Sequence, residues 1–181
     1  DIILPNITFD DFNRETIAKT RKLTTIYSPS NNWKELSAEE ILNQRYFYKT
    51  DKLTGKQGYT LSALLLFGKK DVICGELSWY KVDVLKKIRD VERFDDRFIC
   101  EENLIDSYDA LLKYIENNIE MPFYLNNQGI TYNAVGVIVR EIVSNILIHR
   151  EFMDKTPARI LIYKDRIVSE NANTPKLFTK V

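Results

Sequence analysis

Glu141, Asn145 and His149 recur at every fourth position of REIVSNILIHREF, residues 140–152. A carboxylate can orient a water, an amide oxygen can ligate a hard cation such as Mg²⁺, and an imidazole can act as a base or cap a helix. An α-helix turns about 100° per residue, so steps of four place the three side chains in a slowly drifting row. Val135, Ile138, Val139, Ile142 and Ile146 form the adjoining apolar face, which puts the row at the border of a core. Two readings follow. In one, the row lines a pocket, with Glu141 orienting a water or cation and Asn145 giving an oxygen to Mg²⁺ that also holds phosphates. In the other, it is a boundary row whose groups bond to neighbouring loops, with His149 capping the helix.

The elements that must position this row are legible in outline. The run 132–151 reads as a long helix. ARILIYKDRIVSEN, 158–171, reads as two strands joined at Lys164-Asp165-Arg166, a tight hairpin. Leu104, Tyr108, Leu111, Leu112 and Ile115 have helical spacing, which predicts a helix over 103–119. Residues 76–88 alternate in part and predict a strand. Residues 60–70 read as a buried helix stopped at Gly68, with a buried strand as the alternative. Nearer the start, 8–22 reads as a helix with Thr8 as N-cap, acids in its first turn and bases in its last. Residues 24–36 have loop composition. Ser37 and Glu40 form a capping box that opens a short helix over 37–45, and 49–59 reads as a polar turn. Helices mixed with a few strands define an α/β or α+β class.

A helix bearing Glu-x-x-x-Asn, followed by a β-hairpin and a loop, resembles the order of parts in the GHKL ATPases of gyrase and histidine-kinase type. TLSALLLFGK (60–69), NLIDSYDALLKYIENNI (103–119), REIVSNILIHREF and DRIVSENANTP (165–175) together resemble one bacterial family. It is the family labelled RecG-related putative ATP-dependent helicases or transcriptional regulators, and the resemblance spans residues 10–175. It implies a Schlafen-type AlbA-like DNA-binding domain before this region, a helical arm or linker over 1–58, and a GHKL-like domain over 59–181, truncated at its C-terminus. It implies a cytoplasmic bacterial regulator that reaches DNA through that other domain, with a homodimer as a further option. It places Glu141 as the catalytic residue and Asn145 as the Mg²⁺ ligand. His149, Arg150, Asn171 and Asn173 fall on nucleotide-side positions, and Arg166 on the hairpin motif. ATP and Mg²⁺ would be cofactors of the full-length protein and are not expected in this chain. Where the ATPases carry Asp-x-Gly-x-Gly, this sequence reads Asn171-Ala172-Asn173-Thr174-Pro175. It offers no Asp for the adenine amino group and no glycine for close backbone approach. The implied function is a degenerate, regulatory ATPase-like module. The alternatives are a ligand-free structural or dimerisation module, or an ATP-hydrolysing module in the full-length protein.

Composition narrows the remaining classes. Lys and Arg number 26 against 26 Asp and Glu, without the basic excess of a free-standing nucleic-acid binder. No apolar run approaches the roughly 20 residues that a membrane helix needs. Cys74 and Cys100 make no metal or redox motif and read as reduced thiols. Gly55-Lys56-Gln57 is no phosphate-binding loop, because the earlier glycine and the Ser or Thr are missing. Helicase motor motifs are absent from the sequence. Adjacent Asp95 and Asp96 read as a solvated loop, and Trp33 and Trp79 as packing anchors.

Overall fold

The computed structural model describes residues 2–172 except 45, 121, 123, 126, 127 and 130, with Tyr132 described in its backbone only. The chain is a mixed α/β protein that divides into two compact units. The first comprises Asp1–Ser78 with Glu102–Asp106, and the second Trp79–Glu101 with Ser107–Val181.

In the first unit, strands β1 (Ile3–Leu4), β2 (Tyr48–Thr50) and β3 (Gln57–Thr60) make an antiparallel sheet in the order β1-β3-β2. The expected polar turn over 49–59 is thus a hairpin, with Gly55 at φ 70 in its tip, where glycine is at ease. The first helix starts later than its sequence suggests. Thr8 and Asp11 do form a capping box, but it closes only a single 3₁₀ turn, Phe9–Asp11. Helix α1 (Arg14–Tyr27) opens on Asn13, whose side chain accepts from the N–H groups of Glu15 and Thr16. Because α1 runs through residue 27, the expected loop over 24–36 is shortened. The Ser37/Glu40 box opens α2 (Ala38–Leu42) as expected.

Helix α3 (Leu61–Phe67) is capped by Thr60 and ends at Gly68, also as expected. Gly68 is needed for space rather than for a left-handed turn. Its φ is −64, and an added Cβ would lie 2.5 Å from the Leu64 carbonyl oxygen. Helix α4 (Lys70–Glu76) follows at once. Ile7, Phe12, Ile17, Ile41, Leu42, Tyr59, Ala63 and Phe67 form the buried core, with edge-on rings at Phe12–Tyr59 and Phe47–Phe67. The segment read as an arm therefore has a core of its own. The division falls at residue 78, not at 58, because β3 leads straight into α3 and both pack in the same cluster.

In the second unit, β4 (Val82–Lys87), β5 (Asp96–Cys100), β8 (Ala158–Tyr163) and β9 (Ile167–Glu170) make a mixed sheet in the order β5-β4-β8-β9. β4 pairs antiparallel with β5 and parallel with β8, and β8 and β9 form the expected hairpin. Strand β5 occupies the run expected to be a loop. Asp95 accepts N–H bonds from Ile88, Arg89 and Asp90, which closes the β4–β5 turn. Asp83 of β4 holds Arg97 of β5 through two 2.8 Å bonds.

Two helices accompany the sheet, α5 (Leu104–Glu116) and α6 (Ala134–Ile148). The first turn of α5 groups with the first unit. A short pair, β6 (Tyr124–Leu125) and β7 (Thr131–Tyr132), lies between the helices in sequence. Val84, Ile160 and Ile162 from the strands, Leu111 and Ile115 from α5, and Val139, Val143 and Ile146 from α6 are all buried in this unit. Among the described residues, no helix is long and apolar enough to cross a membrane.

Candidate functional site

Helix α6 is positioned by Asn133, whose side chain accepts from the Gly136 N–H at 2.7 Å. From there the helix runs as the sequence indicates, its stripe of Val139, Val143, Ile146 and Leu147 buried. Glu141 and Asn145 fall on the exposed side. The Asn145 amide donates to Glu141 Oε1 at 3.0 Å, so the pair partly satisfies itself one turn apart. His149 is exposed and caps the helix through its backbone N–H, which donates to the Asn145 carbonyl. The row is real, and its members face water.

Arg150 behaves differently. Only 6% of its surface is exposed. Its guanidinium donates to the carbonyls of Lys81 at 2.8 Å and Trp79 at 3.4 Å. It also lies over the rings of Tyr80 and Phe152, 5.5 and 5.9 Å from their centroids. Burial makes its proton easier to lose than that of a free guanidinium. Trp79 adds a bond from its indole N–H to the Phe152 carbonyl at 2.9 Å. Arg150 thus ties the end of α6 to the segment that leads into β4. A guanidinium occupied in this way is a clamp on the backbone.

Asn171 follows β9 and donates its amide to the Ile146 carbonyl at 3.1 Å, and the Glu151 N–H donates to the Ala172 carbonyl. The structure therefore brings Asn171 to the last turn of α6, close in sequence to Asn145. Asn173 lies outside the described residues. Among the described residues, Asn171 Oδ1 and Arg150 Nε are buried without a hydrogen-bond partner.

An ATP–Mg²⁺ group fits these residues poorly. Asn171 has given its amide to the helix backbone, and its buried Oδ1 is the sole acceptor it retains. Glu141 and Asn145 are exposed and bonded to each other, so neither is held toward an enclosed phosphate-bound cation. No cluster of three His, Cys, Asp or Glu side chains suited to a metal exists among the described residues.

Sequence reasoning missed two organised polar groups. In the first unit, Asp106 accepts from the hydroxyl of Thr16, from Asn103 Nδ2 at 2.8 Å and from Lys19 Nζ at 3.3 Å. Asn103 also caps α5 by accepting the Asp106 N–H at 2.9 Å, and it donates to the Gly68 carbonyl. Burial alone would raise the Asp106 carboxyl, but Thr16, Asn103 and Lys19 outweigh it and hold it below the ordinary value. In the second unit, Tyr114 donates to Asp96 at 2.8 Å. Burial and then this carboxylate push the Tyr114 phenol well up. The Asn-x-x-Asp spacing at 103–106 was a visible capping signal. The Asp106 partners Thr16 and Lys19 were not visible, because they lie 90 and 87 residues away along the chain.

Comparisons with known proteins place the fold and leave the chemistry open. Residues 1–83 match the model of a domain of unknown function, DUF8451, a span that covers the Asp1–Ser78 part of the first unit and the start of β4. No curated protein matches the chain. Among solved structures, the chain is similar to the DIP2311 protein from Corynebacterium diphtheriae, with a TM-score of 0.62 and 16% identity. That match covers 96% of this chain and 33% of the other. The chain thus spans about a third of the length of that protein and shares its fold over that part.

Proposed function

We propose that this chain is the regulatory, non-catalytic part of a longer bacterial, cytoplasmic transcriptional regulator resembling the RecG-related family. It is a degenerate ATPase-like module that acts with a DNA-binding domain outside these residues. One observation carries the reading. The Glu-x-x-x-Asn pair sits on a helix followed by the expected hairpin, yet Glu141 and Asn145 are exposed and bonded to each other. The helix and hairpin that this reading expects are present in order, while Glu141 and Asn145 are not enclosed. The balanced charge supports a role beside the DNA-binding part rather than on the DNA itself.

The test compares the longer regulator with a form lacking these residues in a duplex-binding titration. Their removal should change DNA affinity or stoichiometry, while both forms leave ATP intact. ATP turnover that disappears in Glu141→Ala would overturn the proposal in favour of a working ATPase. A salt-dependent duplex shift by this chain alone would favour direct binding.

A second reading, a ligand-free dimerisation module, draws on Val137 and Ile148, which are 58% and 68% exposed on α6. Sedimentation equilibrium of wild type and Val137→Lys/Ile148→Lys tests it. A dimer that becomes a monomer in the variant supports this reading, and a monomeric wild type removes it.

A further inference from the structure

We propose that the second unit carries a binding site for a small organic anion with an apolar body. The site is a cavity of about 760 Å³ whose lining includes neither Glu141 nor Asn145. Its walls are the N-terminal half of α6, the residues that follow α5, the end of β4 and the tip of the β8–β9 hairpin. The volume lies within the range of small-molecule pockets.

The floor is apolar. Val135, Ile138, Val139 and Ile142 of α6 line it at helical spacing, and Ile138 remains 58% exposed there. This is the stretch that the sequence assigned to the core. Val139 and, further along the same stripe, Ile146 are buried by the protein, whereas Ile138 borders open space.

The rim supplies charge. Lys86, Lys164 and Arg166 stand around the opening. Lys86 is held in place by Asn118 Oδ1 at 2.9 Å. The Arg166 guanidinium lies over the Tyr163 ring at 4.4 Å and touches Asp165 at 3.1 Å. Lys164 is exposed and makes no ion pair among the described residues. Glu120 and Asp165 also line the cavity, and Asp165 is already engaged by Arg166. Three cations against these two carboxylates leave the rim net positive. An apolar floor under a cationic rim selects a ligand whose body is removed from water while its anionic group stays at the mouth. The site does not depend on the nucleotide question, because none of its lining residues belongs to the Glu141–Asn145–His149 row.

The probe is 2-naphthoate, with neutral 2-naphthalenemethanol as its control. Each is titrated into the intact chain and followed residue by residue by NMR. Saturable shifts are expected at Ile138, Ile142 and Tyr163, with a dissociation constant on the order of a millimolar or below for a ligand of this size. Ile138→Glu, at an exposed position, puts a carboxylate on the floor and should weaken naphthoate at least about tenfold. Lys164→Glu/Arg166→Glu should weaken naphthoate about tenfold and the neutral alcohol less than about twofold. Amide dispersion of each variant establishes that it is folded. Shifts scattered over other exposed apolar residues, or naphthoate binding indifferent to Ile138→Glu, would overturn the site. Loss with both probes alike in the charge-reversal variant would overturn the anion selectivity. Mg-ATP binding, if found, would instead move Asn145 and Asn171, so the two questions separate.

Discussion

The surroundings of Asp106 and of Glu141 differ in how many groups converge on a single carboxylate. Asp106 is shared by Thr16, Asn103 and Lys19, drawn from α1 and from the start of α5. Glu141 receives one amide from its own helix and faces water. Both residues stand at regular positions on a helix, so spacing alone does not distinguish them. What distinguishes them is burial. A half-buried carboxylate is costly unless several donors meet it, so the fold gathers them, whereas an exposed one is satisfied by solvent. The cluster at Asp106 therefore ties α1 to the start of α5 within the first unit, and the Glu141–Asn145 row is the less constrained of the two.

That contrast breaks most directly at Asp106. Asp106→Ala leaves the buried Thr16 and Asn103 without their shared acceptor and should cost about 3 kcal/mol, read from urea unfolding. A loss no larger than that of a surface change would erase the distinction. Arg150→Ala, which releases the Lys81 and Trp79 carbonyls and the packing of the side-chain stem, should cost about 2 kcal/mol. If it does, the end of α6 is organised by Arg150 and not by its neighbours in the row.

The pH dependence sharpens the contrast further. The folded Asp106 carboxyl titrates below its ordinary value, while in the unfolded chain it titrates near pH 4. Its contribution is thus complete above that unfolded value and disappears as pH falls through the folded one. Asp106→Asn should flatten the stability curve below about pH 5. The smallest effects belong to Glu141→Ala and Asn145→Ala, each expected within about 0.5 kcal/mol of wild type.

How much of this was legible follows from the range of the forces. Local signals read well. The Ser37/Glu40 box, the helical stripe over 103–119, the helix over 132–151 and the hairpin at Lys164–Arg166 all appear where residues a few positions apart decide the structure. Thr8 shows the limit of such a signal, since its box closed a 3₁₀ turn while Asn13, five residues on, started the helix. Strand β5 was missed because DRFIC is a charged edge whose register comes from Asp83–Arg97 and from the backbone bonds of Asp95. The independence of the first unit was missed because its core joins Phe12, Ile41 and Phe67, residues far apart in sequence. Val135, Ile138 and Ile142 were legible as an apolar face, but the cavity they border depends on the hairpin tip and the end of β4, which no periodicity locates.

The most direct test is a calorimetric titration of Mg-ATP into this chain and into its Asn145→Ala variant. We expect no saturable heat from either form, with both shown folded, because Glu141 and Asn145 are unenclosed and Asn171 is tied to the helix. Micromolar binding by the wild type that is lost in Asn145→Ala would contradict the account and make the row a nucleotide site.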